Sequence, residues 1–118
     1  MRVRLRFALA LTLVLASACT HTLSLTLPAG TPVRVSGFGA EPPFTLDPNS
    51  AAYRDLAAWV DRNRSGWSRY GVTTPSGGTF VTAGRLRLQF VGSSVLAFTD
   101  DGAFDKPASC SECTFLRR

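Results

Sequence analysis

The 118-residue chain carries one histidine and three cysteines, and these shortages remove whole classes of chemistry. His21 has no serine or cysteine constellation in its neighbourhood, so by default it is a surface side chain rather than a general base. Cys110 and Cys113 form a single Cys-x-x-Cys, whereas a zinc ribbon needs a second cysteine pair. Asp100, Asp101 and Asp105 lack the alternating ligands and distal glutamate of a calcium loop and read as a turn. No internal repeat, low-complexity tail or second domain boundary is present. The residues therefore assign no catalytic group, metal site or cofactor.

What is there begins with a leader. Arg2, Arg4 and Arg6 precede an apolar run of nine residues at 7–15, too short for a bilayer-spanning helix, which needs about 20. Small residues follow, Ala16-Ser17-Ala18, and then Cys19. Residues 1–18 are expected to be a signal peptide. Its removal takes three of the thirteen basic residues and leaves eight acidic ones, so the mature net charge is only about +2. Nucleic acid is not expected as a partner, because that reading needs a strong basic excess.

Ala16-Ser17-Ala18-Cys19 resembles the lipobox of bacterial lipoproteins, although Leu15 stands one place further from the cysteine than that family's usual leucine. The resemblance covers residues 1–19 alone and implies cleavage by signal peptidase II before a lipidated Cys19. The same small residues suit the ordinary signal peptidase, which would cut the same bond and leave a free thiol. Lipidation turns three cysteines into an anchor and a pair, with Cys110 and Cys113 as an expected local disulfide. Closing so short a loop would contribute about 2 kcal/mol. Thr20 is not the aspartate that the resemblance associates with inner-membrane retention, which implies the outer membrane, facing the periplasm.

About 100 residues remain, enough for one small core. Residues 19–22 read as anchor and tether, and residues 23–118 as a single domain. The tether would span about 10 Å. Leu23, Leu25 and Leu27 alternate with Thr22, Ser24 and Thr26, the period of a half-buried strand. Val33 and Val35 suggest a return strand, followed by a connection rich in Gly and Pro.

The strongest helical signal lies at residues 50–65, where Tyr53, Leu56, Ala57 and Val60 form one stripe. Asp47 with Pro48 competes with Ser50 as its N-cap, and Gly66 suits its C-terminal end. Downstream, residues 67–72, 79–82, 85–91 and 94–99 read as strands, with a hairpin at Ala83-Gly84 and a possible extra strand at 114–116. The expected fold class is α+β, with a single helix on one face of an antiparallel sheet in the order β-β-α-β-β-β.

Candidate binding residues are Trp59 and Trp67, for which core packing competes with stacking on a glycan, and Arg85 and Arg87. Arg69, Arg117 and Arg118 could join those two arginines in a basic face towards anionic headgroups. The chain is thus expected to be a non-enzymatic, lipid-anchored envelope protein, held to the membrane through Cys19 and meeting an envelope protein or glycan. Two alternatives are a periplasmic inhibitor or immunity-type protein, and a thiol-active protein using Cys110 and Cys113.

Overall fold

The computed structural model describes residues 20–108 and 113–116; the proposed leader, Cys19, Cys110, Arg117 and Arg118 lie outside them. One antiparallel sheet is built from β1 (Val33–Gly37), β2 (Phe44–Leu46), β3 (Ser68–Arg69), β4 (Thr79–Ala83), β5 (Leu86–Val91), β6 (Ser94–Thr99) and β7 (Gly102–Pro107). Its spatial order is β2-β1-β4-β5-β6-β7-β3. A helix, α1 (Ala51–Arg62), separates β2 from β3 in the chain, and a single 3-10 turn closes the described chain at Thr114–Leu116.

These elements correct the α+β expectation. Among the described residues there are seven strands and one twelve-residue helix, so this is a sheet-dominated fold with one short helix. Two local causes account for the shift. The helix stops at Asn63 instead of near Ser65, because the Asn63 side chain donates to Trp59 O at 2.7 Å while its own carbonyl accepts the Trp67 indole N–H at 2.6 Å. The chain after it then forms five strands, including β7, while residues 114–116 form the 3-10 turn in place of a strand.

At the other end of α1, the Ser50 hydroxyl accepts the Tyr53 N–H at 3.2 Å and is the N-cap. Asp47 builds the preceding turn, accepting from the Ser50 and Asn49 N–H groups. Tyr53, Leu56, Trp59 and Val60 form the buried face of the helix. Every second residue of the central strands shares their core: Val33 and Val35, Val81 and Ala83, Leu86, Leu88 and Phe90, then Val95 and Ala97. The registers Val35↔Val81, Val81↔Leu88 and Leu88↔Ala97 set these side chains side by side on one face.

Residues 22–27 keep the expected alternation, with Leu23 and Leu25 buried and Thr22, Ser24 and Thr26 exposed. They are nevertheless not a strand. The segment pairs only where His21 meets Trp67 in an isolated bridge, and Leu23 N–H then donates to Arg64 O at 2.7 Å, just past the helix. It continues to Pro28, whose carbonyl accepts the Tyr53 hydroxyl at 2.9 Å. Its leucines are thus buried by crossing the core rather than by joining the sheet.

Residues 70–78 connect β3, at one edge, to β4, which lies four places away in the sheet, and so they cross the face opposite the helix. Gln89 fastens this strap. Its register partners Phe80 and Leu96 lie on that outer face, and its side-chain N–H2 donates to Pro75 O at 2.9 Å and Gly77 O at 2.8 Å. Gln89 is fully buried. The strap ends at Gly78, where φ is +78° and a Cβ would collide with the Phe90 carbonyl oxygen, so only glycine fits.

Two carbonyl oxygens aimed at one amide make Gln89 sensitive to charge. Gln89→Glu is expected to cost about 3 kcal/mol or more at neutral pH, because a buried carboxylate would face two acceptors. Burial raises the folded-state pKa of the introduced carboxyl, so the loss should grow as pH rises through about 4.3 and shrink below it. Urea denaturation across that range checks the sign.

Candidate binding surface

The strap leaves one row of the outer sheet face uncovered. Arg34 projects there because Val33 and Val35 on either side of it are buried, and Arg87 projects there because Leu86 and Leu88 are. The order β2-β1-β4-β5 brings these distant residues into one line: Thr45 is paired to Arg34, Arg34 to Thr82, and Thr82 to Arg87. Two interstrand spacings separate the arginine positions, about 10 Å. The Arg87 guanidinium lies 5.9 Å from the centre of the Phe98 ring on the next strand.

The two side-chain ion pairs seen among the described residues involve other arginines. Arg64, just past the helix, meets Asp61 in its last turn at 2.8 Å, and Arg85 approaches Asp100 at 3.9 Å, the latter two side chains almost wholly exposed. Arg34 and Arg87 have no acidic partner among the described residues. Beside Arg85 and Arg87 runs an open groove of about 660 Å³, lined also by residues 22–26. Thr22, Ser24 and Thr26 are its exposed hydroxyl-bearing residues, and Asp100 and Asp101 also line it.

The tryptophans are elsewhere. Trp59 is buried in edge-to-face contact with Phe90 and Phe115, at centroid distances of 5.3 and 6.3 Å. Trp67 is completely buried. Neither indole face is available to stack on a sugar. Lys106 instead covers the Trp67 ring, its ammonium 5.6 Å from the centroid and donating to Ser65 O at 2.9 Å. Partial burial lowers the Lys106 pKa from its ordinary value.

His21 is tied down by its backbone and packs edge-on to Phe104 at 5.5 Å. Asp101 sits in the β6–β7 turn, where its N–H donates to the Thr99 hydroxyl and its carbonyl accepts from Arg69. No group of His, Cys, Asp and Glu side chains suited to a metal occurs among the described residues. Cys113 is buried and disulfide-bonded.

Two residues that matter here escaped the sequence reading, Arg34 and Gln89. The alternation around Arg34 was visible in Val33 and Val35, but its alignment with Arg87 depends on β1 pairing with β4 across more than forty intervening residues. Gln89 shares the spacing of Arg87 and differs only by the strap above it.

No protein-family model, no curated protein and no solved structure matches this chain.

Two measurements check this assignment of buried and exposed groups. Acrylamide should quench native tryptophan emission several-fold less than emission from the urea-unfolded chain, and peptidoglycan fragments should leave the native spectrum unchanged. Arg85→Ala should alter stability by no more than about 0.5 kcal/mol, since the Asp100 contact is long and solvated.

Proposed function

We propose that this chain is a small lipid-anchored protein of the cell envelope, held through Cys19 at the periplasmic face of the outer membrane and acting by binding rather than catalysis. The observation that carries the reading is the sequence of Arg2, Arg4 and Arg6, the apolar run 7–15 and Ala16-Ser17-Ala18 before Cys19. The position of His21 sets the geometry of such an anchor. His21 stands two residues after Cys19 and is hydrogen-bonded by its backbone in both directions to Trp67, at 2.6 and 3.1 Å. A lipid on Cys19 would therefore hold the folded domain within about 7 Å of the bilayer surface, closer than a tether ending at Thr22 would allow.

The leader's basic residues, short apolar run and small residues before Cys19 match an exported, lipidated chain. The burial of Cys113 within a disulfide counts against the thiol-active alternative, because exchange requires a thiolate to reach a sulfur atom. A disulfide with a structural role fits better.

Cys19→Ser tests the anchor in cells. The parent should incorporate labelled palmitate and sediment with membranes, whereas the variant should lose the label and enter the soluble periplasmic fraction. Unchanged sedimentation of the variant would overturn the proposal.

A further inference from the structure

We infer that the uncovered row of the outer sheet face, centred on Arg34, Thr82 and Arg87, lies against the anionic headgroups of the bilayer that carries the anchor. The inference rests on the proposed lipidation of Cys19 and adds an orientation to it.

Charge is the first argument. Arg34 and Arg87 are exposed, lie about 10 Å apart on one antiparallel face, and lack acidic partners among the described residues. Thr82 lies between them in the pairing register, and Thr45 extends the row beyond Arg34. Guanidinium forks and hydroxyls are the donors that phosphodiester oxygens accept. Arg85 belongs to the set less well, because Asp100 already lies 3.9 Å from it.

Proximity is the second argument. Arg87 lines the same groove as Thr22, and Thr22 is three residues from Cys19, a reach of about 10 Å. The chain leading from the anchor and the Arg87 end of the row therefore border the same groove. The strap supplies a third constraint, since it is fastened to Gln89 in the neighbouring row of Phe80, Gln89 and Leu96, while Arg34 and Arg87 stay exposed. Near an anionic surface each arginine should favour the docked orientation about fivefold. The effect should fade with salt as the screening length falls below about 10 Å.

The test uses the processed lipoprotein inserted into nanodiscs of phosphatidylcholine alone or mixed with phosphatidylglycerol, each doped with a headgroup-spin-labelled lipid. Paramagnetic broadening of the amide signals of Arg34, Thr82 and Arg87 should be several-fold stronger in the anionic discs. High salt should abolish that difference, as should the Arg34→Gln, Arg87→Gln double variant, while Arg62→Gln, on the helix, should preserve it. Salt reversal in the parent chain keeps the test independent of any folding defect in a variant. If the protein stays on both discs but broadening is alike on all faces or insensitive to phosphatidylglycerol, the orientation is overturned and the anchor stands. If it leaves both discs, the anchor fails and this inference with it.

Discussion

The indole of Trp67 is fully buried, and four parts of the chain converge on it. Its N–H donates to Asn63 O at the end of α1, and its backbone pairs with His21. The next residue opens β3, and Lys106 of β7 lies over the ring. Helix end, entering chain and sheet edge are thus fixed at one residue, through its indole and its backbone together. An indole suits the position because it combines a large apolar surface with a single donor, and the donor here meets a carbonyl left over by the helix terminus. The same contact stops the helix at Asn63 and sets where β3 starts. Because His21 is held there, a force applied at Cys19 would be passed directly to the core.

From that joint the sheet divides the molecule into two unlike faces. The inner face is a continuous apolar layer over α1, closed from below by Leu23 and Leu25. The outer face is split by the strap. Under it, Gln89 is buried and exchanges hydration for two backbone acceptors, while its own oxygen finds no protein partner among the described residues. A buried amide in that state specifies the position of the strap more than it adds stability, since a displaced loop would leave its N–H2 unpaired as well. Beyond the strap the face is solvated, as expected for an antiparallel sheet covered on one side.

Local pattern made much of this legible. Of the helical stripe, Tyr53, Leu56 and Val60 face the core, while Ala57 is half-buried and Trp59 joins the buried face. The alternation of Leu86, Leu88 and Phe90 faces the core as its period requires. The hairpin signal was also correct in kind, although Gly84 and Arg85 form its turn in place of Ala83 and Gly84. Where two local signals competed, tertiary contacts decided. Ser50 won the N-cap over Asp47 because Asp47 was engaged in the turn before it, and Gly66 lost the helix end to the Asn63–Trp67 contact. Leu23, Leu25 and Leu27 have the period of a strand, yet a period reports which side chains are buried and not what the backbone pairs with.

The candidate surface was less legible, for a reason that lies in topology. Arg85 and Arg87 are neighbours in the sequence and read naturally as one basic pair. The fold separates their circumstances, turning Arg85 towards Asp100 and aligning Arg87 with Arg34 through Thr82. That alignment exists because β4, which follows the helix, inserts between β1 and β5. The connection that makes the insertion possible is the strap, and the strap is also what buries the adjacent row. One crossover therefore both assembles the arginine row and leaves it as the uncovered part of the face, so neither property could be read from residues 85–87 alone.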